Sequence, residues 1–411
     1  MEDYTPITEC LACGNHGLVL TLDLQDQPLA NNFQEHAGVR DTDMWFPLAI
    51  NRCNHCNHLQ LTHAVNPELI YTHYLYVSGT SQTNREYMRW FAGFVREQFR
   101  HWATSVLDIG CNDGTQLDLL KAAQFQTYGV DPAKNLHPLS SKNHTVICGF
   151  WDDDSAGNLG RDFDAIIAQN SFAHNPNPLP WLQLAKEYLR NDGKIFIQTS
   201  QADMVLNGEF DTIYHEHISF YNTYSMKCLA ERAGLYLVDV IKPPIHGTSY
   251  VFVLAKQPGN EYRIANELAV EETRGLQNPD TYTKWAKGVQ ELLVQLQQQL
   301  TEYKEFGYHV IGYGAAAKGM TLINASNIHL DCVIDDNPLK QGLYCPGTDI
   351  PVVSIDYLKQ VSNDEIVVFV PLAWNFYAEI SKKIQSVRAK DTDIFVRYFP
   401  KLTAEFYGNK V

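Results

Sequence analysis

The sequence predicts an α/β chain made of a small cysteine-punctuated block followed by two doubly wound sheets. Three observations predict it. Two Cys-x-x-Cys pairs, Cys10/Cys13 and Cys53/Cys56, fall in a loop-rich first block. Two series of short apolar strands alternating with helical spacings follow, and each series opens on a strand that runs into a glycine turn. A chain of 411 residues also exceeds what one hydrophobic core organises, and a 45% hydrophobic content is enough for several. The expected domains span residues 1–80, 81–256 and 257–411.

In order along the chain, REYMRWFAGFVREQF from Arg85 has the spacing of a new domain's first helix. SVLDIG, TYGVD, HTVICG, FDAIIAQ, KIFIQTS and YVFVLA then alternate with helical stretches. That rhythm predicts a twisted, largely parallel sheet that binds ligands at its strand ends. Two polar-surfaced helices come next. The second places Trp285, Val289, Leu292, Leu296, Leu300 and Tyr303 at intervals of three or four, a core-facing stripe that Gly307 ends. YHVIGYG, LDCVIDD, EIVVFV and DIFVRYF form the second series.

The net charge of −15 argues against nucleic acid as a partner, while leaving room for a local basic pocket that takes one or two phosphates. The N-terminus MEDYTPITEC has neither a basic flank nor an apolar core, and no long apolar run occurs, so neither export nor a membrane is expected. The expected location is the cytoplasm. There, four of nine cysteines arranged as two close pairs favour metal thiolates over disulfides.

Cys10, Cys13, Cys53 and Cys56 are the candidate zinc ligands. Each pair is followed by residues suited to a tight knuckle turn (Gly14, Asn15; Asn57, His58), and four sulfurs close a tetrahedron with no place for water, which makes the site structural. A redox dithiol would sit at a strand-to-helix junction, and neither pair does. His55 and His58 are alternative ligands.

The run Val106 to Thr115 is an apolar strand, a glycine turn and the start of a helix, with Asp108, Gly110, Asn112 and Gly114 as candidate cofactor contacts. A dinucleotide turn cradles a pyrophosphate and reads GxGxxG. This one carries Asp113, whose charge repels phosphate and suits a sulfonium or amino group. Asp131 ends the next strand, where a carboxylate receives both hydroxyls of a ribose, although it also reads as a helix N-cap before Pro132. Together these point to S-adenosylmethionine, with Phe150 beside the adenine and Asn170, at the end of the fourth strand, near the methyl donor.

After KIFIQTS, the segment Asp211 to Tyr221 packs Tyr214, His215, Glu216, His217 and Tyr221 together. A zincin helix needs its histidines four apart, and these are two apart; a structural polar network is the other alternative. Methylation at carbon gives the residues a purpose. A carbon beside a ketone must lose a proton before it attacks a methyl group, so the site needs a base near neutrality and donors for an enolate oxygen. His217 suits the base, Tyr214 or Tyr76 the donor, and Glu216 a supporting role.

With these motifs in view, the chain resembles the nucleotide-sugar C-methyltransferases that build branched-chain deoxysugars. The resemblance spans essentially the whole length through the paired CxxC motifs, YLYVSGTS around Tyr76, LDIGCNDG, AQNSFAHNPNP, YHEH, HGTS from His246 to Ser249, and IGYGAAAKG followed by DDNPLKQG. It implies a zinc-binding N-terminal domain, a class I (Rossmann-like) methyltransferase domain and a second Rossmann-like C-terminal domain. It further implies that His217 is the base, that Tyr214, Glu216, His174 and Tyr76 line its pocket, and that His215, His246 and Ser249 lie by the sugar. Gly312, Gly314 and Lys318 would meet the diphosphate of a dTDP- or GDP-linked 4-keto-6-deoxysugar methylated at carbon 3. The chain is expected to act as a monomer.

Two departures are Thr248, where the family commonly has glycine, and Gln198, where it has glutamate; both bear on substrate preference. Two other chemistries compete for the same motifs. A strand-glycine-helix turn with Asp335 and Asp336 after the next strand also suggests a redox cofactor, and oxygen or nitrogen methylation would not need an enolising apparatus.

Overall fold

The computed structural model describes residues 3–40, 43–72, 77–80, 82–99, 104–199, 203–243 and 249–406. The chain folds into two compact units, and neither is one contiguous stretch. The first comprises residues 1–20, 50–203 and 216–279, and the second 21–49, 204–215 and 280–411.

The first unit is built on a seven-stranded sheet of order β12-β13-β10-β9-β6-β7-β8. Its strands are β6 (Ser105–Ile109), β7 (Gln126–Asp131), β8 (Thr145–Cys148), β9 (Phe163–Gln169), β10 (Leu189–Thr199), β12 (Tyr236–Ile241) and β13 (Tyr250–Ala255). Pairing is parallel from β10 across to β8, while β13 runs antiparallel to both β10 and β12. The largely parallel expectation holds, and the half-buried edge strand β12 adds to the expected set. The chain leaves β6 toward β7 and β8, then returns to β9 on the other side of β6. Such a reversal opens a crevice at the strand ends, where ligands bind.

The cysteine block packs its knuckles into the core of the first unit. Cys10, Ala12, Cys53 and Cys56 are buried in one apolar cluster with Leu107, Ile166, Phe172 and Tyr221. Its backbone is also strand rather than loop. A ribbon pairs β1 (Tyr4–Pro6) with β5 (His63–Val65), and a four-stranded sheet runs β11-β4-β3-β2. Those strands are β2 (Leu18–Gln27), β3 (Phe46–Cys53), β4 (Leu59–Leu61) and β11 (Ser219–Phe220). Alternation in LVLTLDLQDQ carries the strand signal, obscured at sequence level by the cysteine punctuation.

The second unit holds a sheet of order β16-β15-β14-β17-β18-β19. Its strands are β14 (His309–Tyr313), β15 (Cys332–Ile334), β16 (Val352–Val353), β17 (Val367–Pro371), β18 (Ile394–Arg397) and β19 (Thr403–Phe406). All pairs but β18 with β19 are parallel, and the reversal falls between β14 and β17. The long helix Pro279–Glu305 buries Trp285, Val289, Leu293, Leu296 and Leu300. Leu293 thus takes the core position expected of Leu292, because spacings of three and of four both fit between Val289 and Leu296. Gly307 ends the helix at a φ of 78°, with its N–H donating to the Lys304 carbonyl. Among the described residues no helix is long and apolar enough to cross a membrane.

Candidate active site

The four cysteine sulfurs lie within 4.8 Å of one another, and Cys10–Cys56 and Cys13–Cys53 are each 3.6 Å apart. A tetrahedron with Zn–S bonds of ~2.3 Å has edges of ~3.8 Å, so the cluster fits zinc. Both knuckles share one geometry. Gly14 and Asn57 take positive φ and donate to the carbonyls of Cys10 and Cys53, while the N–H groups of Cys13 and His55 point at the Cys10 and Cys53 sulfurs. His58 is not a ligand. It is buried against Tyr221 with Nε2 3.3 Å from Ser219 Oγ.

The glycine turn after β6 is held from three sides. Gly110 donates to the Val130 carbonyl, and a Cβ on it would meet Ser171 Cβ, just after β9, at 2.5 Å. Asp131 Oδ2 accepts the Asn112 N–H at 2.8 Å, and its Oδ1 accepts the Ala133 N–H at 2.9 Å. Gly114, at a φ of 83°, opens the helix Thr115–Ala122. Asp113 is engaged inside the protein: it accepts from Gly79 N–H, Thr115 N–H and Thr115 Oγ1. Asp108 is 2% exposed, and burial together with the charge of Asp131 pushes its carboxyl up to about 8. Burial also raises Asp131, despite its two N–H donors. A pair of crowded, desolvated carboxylates favours a cation beside it, as S-adenosylmethionine carries. Phe150 is half-buried after β8, and Asn170 is exposed at a φ of 52° after β9.

The second unit carries a similar construction. Gly314 donates to the Ile334 carbonyl, and a Cβ on it would meet Ala373 Cβ, just after β17, at 2.9 Å. Asp335 accepts the Ala315 N–H at 2.6 Å and the Asn337 N–H at 2.8 Å. Gly312 is enclosed by Leu330, Leu372 and Val333, so it serves packing within the sheet. Lys318 places Nζ 4.6 Å from the centre of the Trp374 ring, and that buried ammonium has no hydrogen-bond partner among the described residues. Trp374 is oriented in turn by Asp211, whose Oδ2 accepts from its indole N–H at 2.8 Å and from the Tyr398 hydroxyl at 2.7 Å.

The boundary between the units falls inside YHEH, after His215. Tyr214 and His215 belong to the second unit. His215 is buried and donates Nε2–H to the Phe46 carbonyl, and burial lowers its pKa to about 4. In the first unit, Glu216 is buried and His217 half-buried. The His217 ring stacks on His174, with centroids 5.2 Å apart at 29°. Ile218 fixes that pairing, because its N–H donates to the Ala173 carbonyl while its own carbonyl accepts the Leu61 N–H. Burial and the neighbouring His217 hold His174 well below the ordinary histidine range, so it stays neutral. Ser249 lies beside the buried Gln198, which donates to its Oγ at 3.0 Å. Tyr76 and His246 lie outside the described residues.

Sequence reasoning passed over Tyr71, Ser171 and Trp374. Trp374 sits just past β17, at the sheet's reversal, and that position was a readable signal. The stacking of Tyr71 on His174 depends on long-range pairing, which leaves no local trace.

Three family models follow one another along the chain: "Putative zinc binding domain" over residues 10–71, "Methyltransferase domain" over 80–240 and "C-methyltransferase C-terminal domain" over 244–400. The chain is a three-part C-methyltransferase. It is homologous to the C-methyltransferase NovU of Streptomyces niveus, with 29% identity over 393 residues, covering 92% of this chain and 93% of the relative. The enzyme therefore uses S-adenosylmethionine, and the carboxylate-pinned turn after β6 has the chemistry to hold it. Solved structures similar to parts of it include magnesium protoporphyrin IX methyltransferase (ChlM) from Synechocystis PCC 6803, at 11% identity and a TM-score of 0.33 over 42% of this chain and 79% of that one. A SAM dependent methyltransferase from Archaeoglobus fulgidus matches at 15% identity and a TM-score of 0.34, over 41% and 93%.

Proposed function

We propose that the enzyme methylates carbon 3 of a nucleotide-linked 4-keto-6-deoxysugar. S-adenosylmethionine, when bound, supplies an electrophilic methyl group. His217 takes the proton from the carbon beside the ketone and leaves a carbon nucleophile, to which that methyl group would pass as its bond to sulfur breaks and S-adenosylhomocysteine leaves. The observation that carries this reading is the stack of half-buried His217 on a neutral His174. A neutral neighbour does not repel the imidazolium that forms when His217 accepts the proton. Tyr214 and Tyr76 are assigned as donors to the enolate oxygen, and Glu216 as support for the base. His215, His246 and Ser249 are assigned to the sugar. The ammonium of Lys318, which has no hydrogen-bond partner among the described residues, is assigned with Gly314 to the diphosphate, since an anion would supply the acceptor it lacks, while Gly312 supports that turn from within the sheet. The nucleotide is dTDP or GDP. The blocks 1–80, 81–256 and 257–411 then serve zinc, methyl donor and nucleotide, in a monomeric cytoplasmic enzyme that needs neither nucleic acid nor membrane.

The test is hydrogen exchange in heavy water with a panel of keto-sugar nucleotides. The wild-type enzyme should introduce deuterium at carbon 3. His217→Asn should lose exchange and methylation by ~10²- to 10⁴-fold, the usual worth of a general base, with S-adenosylhomocysteine affinity unchanged. A methylated hydroxyl formed without exchange at carbon would refute the carbon-acid mechanism.

A further inference from the structure

The two histidines are part of a longer column. Tyr71 ends the short helix Pro67–Tyr71, which Asn66 caps by accepting the Glu68 N–H. Its ring lies parallel to His174 at 7°, with centroids 5.5 Å apart, on an offset that aromatic pairs favour. His174 therefore touches one ring at each of two contacts, Tyr71 and His217. The Tyr71 hydroxyl donates to the backbone carbonyl of Glu216 at 3.3 Å, one residue before the base. The same amino-terminal block reaches the base from its other side, through Leu61 N–H to the Ile218 carbonyl and through β4 pairing with β11. The cysteine block and the reacting histidine are thus tied at two separate places.

We propose that Tyr71 is a positioning residue for the methylation: its ring fixes the plane of His174, and His174 in turn fixes the plane of His217 against the substrate carbon. The proposal rests on the reading of His217 as the base. Positioning of this kind acts on the chemical step, since a base that rocks out of line spends less time aimed at the proton while the substrate still binds. The ring carries the effect. The long hydroxyl contact to a backbone carbonyl contributes little, because the Glu216 carbonyl belongs to a segment already fixed by the bonds of Ile218.

The experiment compares Tyr71→Phe, which keeps the ring, with Tyr71→Met, which fills the space with a flexible apolar chain. For each full-length enzyme, kcat, KM, deuterium exchange at carbon 3, S-adenosylhomocysteine affinity and melting temperature are measured. Tyr71→Phe should stay within about threefold of wild type. Tyr71→Met should lose about tenfold or more in kcat and in exchange, with KM and S-adenosylhomocysteine affinity within about twofold. Equal kcat in Tyr71→Met and wild type would overturn the proposal, as would an equal loss in both variants. A Tyr71→Met chain that no longer folds while Tyr71→Phe does would make the ring structural and overturn it too. A wild-type enzyme that neither exchanges nor methylates any keto-sugar nucleotide would instead defeat the functional reading, and the Tyr71 proposal with it.

Discussion

The matched carboxylates Asp131 and Asp335 allow one substitution to be tested against an internal control. In Asp131→Asn, one of two acceptors becomes an NH₂ group, yet the N–H groups of Asn112 and Ala133 still both require one. One buried N–H then faces a donor, at a cost of about 1–3 kcal/mol. If the glycine turn reshapes to relieve it, that energy is drawn from cofactor binding and weakens it roughly 5- to 150-fold. Asp335→Asn disturbs the equivalent pair, Ala315 and Asn337, in the other unit. Its folding cost should be of the same order, while cofactor binding should stay as it was. Calorimetric titration with S-adenosylhomocysteine, beside thermal melting, reads both quantities. An Asp131→Asn enzyme whose affinity stays within twofold of wild type, or an Asp335→Asn enzyme that weakens equally, would show that the turn after β6 is not the cofactor's wall.

Cys53→Ser should remove bound zinc, measured by elemental analysis, and lower the melting temperature by ~6 °C or more, because the sulfurs sit in the apolar cluster of the first unit rather than in a separate knob. A zinc-free variant that melts with the wild type would contradict that role. The buried Glu271 accepts from Thr223 N–H at 2.8 Å and Thr223 Oγ1 at 2.5 Å, and burial raises its carboxyl to about 7. The folded state holds this proton more tightly than the unfolded one. Its contribution is therefore complete below pH ~4.5 and is lost as pH rises through about 7. Against Glu271→Gln, wild-type stability should fall by up to about 3 kcal/mol between pH 4.5 and 7.5, then level off. Denaturation curves of the two that run parallel across this range would exclude the titration.

Elements whose signal is local were legible in the sequence. A largely apolar run such as FDAIIAQ reads as an interior strand, and two CxxC knuckles supply the four sulfurs that a tetrahedral metal takes. The purpose of a polar residue was harder to read, because backbone groups elsewhere in the chain compete for it. Asp113 was expected to face a cation, but Gly79 and Thr115 occupy it. YHEH reads as one motif, yet the fold separates it: His215 is committed to the Phe46 carbonyl, whereas His217 stacks on His174. The grip of the amino-terminal block on that histidine comes from pairing between Gln60 and Ser219, residues too distant in sequence to announce each other.

The interleaving of the two units also sets an order on synthesis. Residues 21–49 leave the ribosome early, but the six-stranded sheet of the unit they belong to starts only with β14 at His309. At 5–20 residues per second, that segment waits on the order of 10–50 s for its partners. Residues 204–215, immediately before Glu216 and His217, wait as well, for a shorter time. The first unit, with its cysteine cluster and its glycine turn, can close once Pro279 is out, while residues 21–49 and 204–215 still lack the six-stranded sheet of the second unit. Synthesis therefore passes through a stage at which the first unit is complete while the segment leading into Glu216 and His217 still lacks the rest of its own unit.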